Sequence, residues 1–221
     1  MCGRFTLTAT TEALNQLFPL FADLELEPRY NIAPSQPILA VRVRPGTQDL
    51  EAVRLRWGLV PSWAKDLKIG YKLINARADT AAEKPSFRSA FRQRHCLILA
   101  DGFYEWKKLE AKKKQPYLFR LKSGLPFAFA GLWEKWTGPE NVVESCTILT
   151  TDANDLTRPM HDRMPVMVEP GNYQNWLRTL GTGDPAQFDY LLPFPADAMK
   201  AEPVGTLVND VYDTSIGDGP R

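Results

Sequence analysis

A chain of 221 residues is long enough for one large domain with a sizeable core, and two small domains fit it less well. With 44% apolar residues and 11% aromatics the composition is that of an ordinary globular protein, which excludes wholesale disorder. A net charge of +1 means that a nucleic-acid partner would have to meet a local basic patch, because the surface as a whole is not basic. The three cysteines, Cys2, Cys96 and Cys146, are odd in number and too sparse for a disulfide framework. No secretory apolar segment, no run of membrane-spanning length and no N-x-S/T sequon is found. The expectation is a reduced cytoplasmic protein, nucleoid-associated if bacterial, that acts as a monomer away from membranes. There is no C-x-x-C, and the two histidines, His95 and His161, form no ligand pattern, so neither a metal nor another cofactor is expected.

In chain order, TLTATTEALNQLF reads as a short strand entering a helix, with Thr10 or Thr11 as the cap of residues 12–18. YNIAPSQP is punctuated by prolines and reads as loop. ILAVRVR and AVRLRWGLV alternate or run apolar like strands. KPSFRSAFRQR has a helical pattern, and CLILADGFYEW is the strongest strand of the chain. YLFRLK, PFAFAGLW and ESCTILTT continue the strand series with Lys- and Gly-rich turns between them. PGNYQNWLRTLG reads as a helix with Pro170 near its start and Gly181 near its end. Many strands with a few helices predict an α+β single domain, its mainly antiparallel sheet strongly bent or barrel-like and flanked by helices. That domain is expected over residues 1–212, with 213–221 a flexible tail.

The chain opens MCGRF. If Met1 is trimmed, which the small Cys2 side chain permits, the new terminus carries an amine and a thiol on adjacent carbons. The free α-amine, with a reference pKa of about 7.7–8.0, is nucleophilic near neutral pH. An aldehyde can condense with it to a Schiff base, and the neighbouring thiol can then close a five-membered thiazolidine. Neither group alone gives that ring.

Together with MCGRF, the stretches RYNIAPSQP, WGLVPSWAKD, LINARADT, CLILADGFYEW, KKQPY, PMHDRMPV and the late VND cover most of the chain. In these the sequence resembles the SRAP family, the SOS-response-associated peptidase or abasic-site-processing proteins. The resemblance implies a DNA-damage protein of the SOS response that shields abasic sites in single-stranded DNA by bonding to them covalently through the residue after the initiator Met. It implies that Cys2 forms the thiazolidine and that Asn75, Glu105 and His161 complete the site. The resemblance also implies DNA lyase and autoproteolytic peptidase (hydrolase) activities as candidate accompanying reactions. Two other readings stand beside this one: a cysteine-dependent peptidase with Cys2 as N-terminal nucleophile, acting at least on Met1, and a plain single-strand binding module.

The residues themselves bear on these readings. Gly3 leaves the approach to the Cys2 amine unobstructed, and Arg4 offers a cation for a phosphate beside the sugar. If CLILADGFYEW is one strand, Glu105 lies on the face of Phe103 and Leu99, with Gly102 the place where that register can break. A carboxyl among apolar neighbours is desolvated, so its pKa rises and it can both give and take a proton near neutrality. His161, between Pro159 and Pro165, sits on a constrained loop and suits proton handling at the sugar hydroxyl. His95 has no such context and reads as structural. Asn75 shares a strand-like face with Leu73 and Arg77, where its amide could position the Cys2 amine or the sugar oxygen. Arg77 and Arg163, with Arg4, would form a cluster of phosphate clamps. Trp63 and Pro34 can stack on or wedge between bases. The family often carries a second aromatic next to that Trp, and Ala64 stands here instead. KKLEAKKKQ reads as a solvated hairpin turn whose lysines add weak, salt-dependent attraction to DNA.

Overall fold

The computed structural model describes residues 2–110, 113–178 and 188–211. The centre of the Lys-rich turn, Gly181 and the expected tail from residue 213 lie outside those residues. The first strand, β1 (Phe5–Leu7), is buried along its whole length. Thr10 then caps the helix α1 (Thr11–Leu17), its hydroxyl accepting from the Ala13 amide at 3.3 Å, which decides between the two threonines. The stretch read as loop contains a strand, β2 (Arg29–Ile32), because Phe5 and Ile32 pair across an antiparallel ladder. Only residues 33–36 form the expected turn, and there Ser35 takes the left-handed conformation at φ 71°. The two alternating apolar runs become the antiparallel pair β3 (Pro37–Val43) and β4 (Leu50–Trp57). Gly58 stops β4 at φ 119°, a backbone angle that L side chains rarely adopt.

A short strand, β5 (Asn75–Arg77), precedes the helix α2 (Arg88–Gln93). Leu73 ends the 3-10 turn Leu67–Lys72 and stands outside β5, so the expected Leu73–Asn75–Arg77 face reduces to its last two members. CLILADGFYEW is two strands, β6 (His95–Ala100) and β7 (Gly102–Lys108), which belong to different sheets. The chain leaves one sheet for the other at Asp101, whose carboxylate accepts from the Thr6 hydroxyl and from the Thr8 amide and hydroxyl. Gly102 is required at this crossing, since a Cβ there would meet the Thr6 hydroxyl at 2.8 Å and Leu118 at 2.9 Å. The register from Leu99 to Glu105 is therefore broken, while Phe103 and Glu105 still share a face of β7.

The remaining strands are β8 (Lys114–Leu121), β9 (Phe127–Thr137), β10 (Val142–Asp152), β11 (Arg163–Pro165), β12 (Met167–Val168) and β13 (Met199–Pro203). The last helix, α3 (Tyr173–Arg178), follows a 3-10 turn that Pro170 opens. Strands β10, β4, β3, β6 and β9 pair in that order, and β9 pairs back to β10, closing a barrel in which only the β10–β4 contact is parallel. A second, antiparallel sheet has the order β13-β8-β7-β1-β2. The observed class is thus α+β with a closed mixed barrel and a mainly antiparallel arrangement overall.

The two sheets meet through aromatic side chains. Phe5 packs edge-on against Trp57 at 5.2 Å and against Phe129 at 5.9 Å, and Phe103 packs edge-on against Phe129 at 6.2 Å. Burying each such ring stabilises the fold by about 1.5–3 kcal/mol. The opposite face of β7 places Tyr104 in a smaller cluster with Leu118, Val204 and Val208. This seam between barrel and second sheet carries the chain's first residues, because β1 lies between β2 and β7.

Candidate active site at the seam

Three elements deliver the polar groups to this seam. Cys2 enters just ahead of β1, fully buried, with its thiol 3.9 Å from the Arg4 carbonyl. On the barrel side, β5 runs parallel to β10 with Asn75 opposite Ile148. The Asn75 side-chain amide donates to the Cys2 carbonyl at 2.8 Å, a bond that fixes which end of the amide is nitrogen. Its other end, Oδ1, is buried and accepts nothing among the described residues. From the second sheet, β7 brings Glu105, which is 5% exposed. Burial raises the Glu105 pKa above its ordinary value, and nearby positive charge, His161 included, partly opposes this. Burial also pushes the Cys2 thiol well above the usual range, and the Glu105 charge pushes it further.

His161 sits where the chain turns back from β10 into β11. Its backbone amide donates to the Thr157 carbonyl at 3.1 Å, and the Asp162 carbonyl accepts from the Ala153 amide at 3.0 Å, which closes the loop. The Arg163 amide, which can only donate, lies 3.0 Å from Nδ1 of His161. The Asp162 carboxylate, which can only accept, lies 2.7 Å from the same nitrogen, so the two neighbours compete for it. His161 and Glu105 line one cavity of about 690 Å3 with Trp106, Lys108, Lys114 and Met160. A desolvated carboxyl, a thiol, a carboxamide and an imidazole are thus assembled from four distant parts of the chain. Such a set can move protons around a carbonyl carbon. Among the described residues, no three His, Cys, Asp or Glu side chains gather as metal ligands.

The family model described as SOS response associated peptidase (SRAP) matches residues 1–211. This chain belongs to the SRAP family. The SRAP chain is 48% identical to the abasic site processing protein YoqW of Bacillus subtilis over 97% of each chain. It is 30% identical to the abasic site processing protein YedK of Escherichia coli over 96% of this chain and 95% of that one. Among solved structures, a protein from Bacteroides thetaiotaomicron superposes with a TM-score of 0.84 at 25% identity, covering 98% of both chains. No described helix is long and apolar enough to cross a membrane.

The three arginines of the SRAP chain stand in different surroundings. Arg163 is 9% exposed, donating to the Thr150 carbonyl at 2.6 Å and to Asp152 at 2.8 Å. Arg77 is open to solvent and forks onto Asp79, which also lies 3.9 Å from Arg163. Arg4 is half-buried and bound elsewhere, to the Val208 carbonyl at 2.8 Å and to Asn31 at 3.4 Å. Desolvation lowers its pKa from the usual 12.5. The expected cluster therefore resolves into one pair joined by Asp79 and a separate Arg4. Pro34 is half-buried beside Ser35 in the turn after β2, and Trp63 is 59% exposed. The neighbouring Ala64 carbonyl accepts from the buried Trp136 indole at 2.7 Å, which pins the turn that holds Trp63 out.

Two groups that the sequence reading named had no place given to them at the site itself. Lys108 and Lys114 face each other across the β7–β8 ladder and line the cavity beside Glu105, so the Lys-rich hairpin reaches the site itself. The hairpin register was the available signal. The late VND stretch clamps the site's rim. The Val208 carbonyl takes Arg4 and Asn31, the Asp210 carbonyl takes Asn31, and Asn209 accepts from the Trp106 indole at 2.7 Å.

Proposed function

We propose that this SRAP protein processes abasic sites in single-stranded DNA by forming a thiazolidine between Cys2 and the ring-opened sugar aldehyde. The observation that carries the reading is the meeting of Cys2 with Asn75 at 2.8 Å beside a buried Glu105 whose pKa is raised. The names of its relatives, abasic site processing proteins in Bacillus subtilis and Escherichia coli, point the same way.

The steps follow from the groups present. Loss of Met1 frees the Cys2 α-amine, which adds to the aldehyde carbon and gives a carbinolamine. The neutral Glu105 carboxyl gives its proton to the departing hydroxyl, water leaves, and an iminium forms. The Cys2 sulfur then bonds to the iminium carbon while its proton passes to the Glu105 carboxylate, which restores the acid. One water is released and the nitrogen ends as a neutral ring amine. The raised thiol pKa argues that sulfur attacks as its proton leaves, and not as a free thiolate. The same property counts against a thiolate peptidase acting on other chains. Asn75 Oδ1, buried beside Cys2, offers an acceptor for the amine N–H or a sugar hydroxyl. His161 handles protons at the hydroxyl released by ring opening, and so influences reversal or strand cleavage. Arg77, Arg163 and Arg4 meet phosphates, and Trp63 and Pro34 meet bases.

Mixing the processed protein with abasic single-stranded DNA should give an adduct that survives heating without reduction. A form retaining Met1 should give none, because its amine is acylated. Equal crosslinking rates in the two forms would contradict the mechanism.

A further inference from the structure

Among the described residues, the large apolar side chains left exposed include only two aromatic rings, Trp63 and Tyr71, at 59% and 60%. Both lie in the connection 58–74 between β4 and β5. Folding normally hides such rings, so two on one connection call for a partner with apolar faces. The connection is also basic: Lys65, Lys68 and Lys72 stand against Asp66 alone, a local charge of +2. A partner with flat apolar rings and negative charge is a single-stranded nucleic acid.

The Tyr71 ring is held in place from below. Arg56 lies with its guanidinium carbon 5.3 Å from the ring centroid, and its Nη1 reaches the Gly58 carbonyl at 3.4 Å. Gly58 and Gly70 press backbone to backbone there. A Cβ on either would meet the other's carbonyl oxygen at 2.6 Å, and each lies close to the same Arg56 nitrogen. The two ends of the connection are thus clasped around one guanidinium, and the residue after Gly70 is Tyr71. The Leu59 amide donates to the Leu73 carbonyl at 3.1 Å, and the Trp57 indole to the Ile74 carbonyl at 2.9 Å. These bonds carry the clasp directly into Asn75. An extended chain of four residues spans no more than about 14 Å, so Tyr71 stands close to the proposed site.

From this geometry we infer that Tyr71, backed by Arg56, is a stacking platform for the base of a nucleotide flanking the lesion, on the side of the site where β5 begins. The inference rests on the abasic-site reading and adds a binding residue to it. Arg56 is a positioning residue, and Tyr71 touches the base.

The test uses single-stranded DNA with a tetrahydrofuran abasic analogue, which has no aldehyde, and 2-aminopurine placed in turn at each flanking position. With the parent protein one position should be quenched on binding, and that quench should be lost in Tyr71→Ala and kept in Tyr71→Phe. By anisotropy Tyr71→Ala should bind roughly five- to a hundredfold more weakly with an unchanged salt slope, because stacking releases no counterions. Its melting temperature should equal the parent's. If Tyr71→Ala binds and quenches like a parent that does crosslink abasic DNA, the platform is wrong and the abasic-site reading stands. A parent that binds no single-stranded DNA removes both. A loss of binding that tracks a loss of melting temperature makes the ring structural and overturns the platform alone.

Discussion

The molecule buries a histidine under α3, with a cysteine next to it in sequence whose thiol turns to the other face of β6, and it brings the same two residue types together at the seam. Under α3, His95 stacks on Trp176 at 4.0 Å, with its ring nitrogens 2.7 and 2.6 Å from the carbonyls of Trp176 and Phe91. The Cys96 carbonyl there accepts from the Trp176 indole at 2.9 Å. Every hydrogen-bonding atom named is occupied by the protein, and burial holds the His95 pKa below the usual 6.5. At the seam, Cys2 is buried as completely, yet Asn75 Oδ1 accepts nothing among the described residues. Glu105 and His161 there face a cavity of about 690 Å3. Burial alone does not mark a reactive thiol or imidazole. What separates the two regions is a buried acceptor, Asn75 Oδ1, that takes no bond among the described residues, beside space for a substrate.

The largest expected effect comes from disabling the proton carrier at the seam. Glu105→Gln keeps the shape but exchanges no proton, so crosslinking should slow by about 10²-fold or more, with little change in affinity for undamaged single-stranded DNA. Single-turnover rates beside a binding isotherm check this. Stability supplies a second readout. Because the folded-state pKa of Glu105 is raised, the unfolded chain gives up that proton first, and stability falls as pH rises above the ordinary 4.5. The Gln variant should lack that fall, so its melting temperature should gain on the parent's as pH rises. Loss of binding in proportion to rate would mean that Glu105 holds the groove together.

Arg163 and Arg77 sharpen the comparison within the site. Arg163→Ala removes a buried charged hydrogen bond to the Thr150 carbonyl, which keeps the Ala78 amide, and an ion pair to the exposed Asp152, and should cost about 1–3 kcal/mol of stability besides weakening binding. Denaturant titration measures the first part. In the saturated region, His95→Gln should lower stability by about 1–2 kcal/mol and leave the crosslinking rate of the folded protein unchanged. The sign with pH is opposite to that of Glu105. The lowered His95 pKa means that the unfolded chain takes up the proton first, so the parent loses stability as pH falls below 6.5. The variant should lack that loss, and melts above and below 6.5 would show it. The smallest effect belongs to Arg77→Ala, with an unchanged melt and a salt dependence of DNA binding flatter by roughly one phosphate contact. An unchanged slope would remove Arg77 from the phosphate path.

Much of this was legible in the chain. The Thr10 cap, the alternating runs of β3 and β4 and the helical signal of α2 are local patterns, and local patterns survive folding here. Gly102 marked where CLILADGFYEW could break, but not that its halves join different sheets, because Asp101 is held there by Thr6 and Thr8, nearly a hundred residues away. Strands β11 and β12, of three and two residues, exist only through pairing with β10 and β9. For the site, residue chemistry nominated Cys2, Asn75, Glu105 and His161. It could not say that Asp79 and Asp152 hold two of the arginines while the Val208 carbonyl holds the third. Charge is written in the sequence, and the partner that uses it is not.

The most direct test of the account is a mass spectrum of the processed protein after reaction with abasic single-stranded DNA, taken with and without borohydride. A thiazolidine at Cys2 requires an adduct lighter than the sum of its parts by one water, stable to heat, and unchanged in mass when borohydride is added after the reaction is complete. Cys2→Ser, which keeps the amine, should give an adduct that lasts only when borohydride traps it, two hydrogens heavier. A parent adduct that gains those two hydrogens, or a Cys2→Ser adduct as durable as the parent's without reduction, would contradict closure by the thiol.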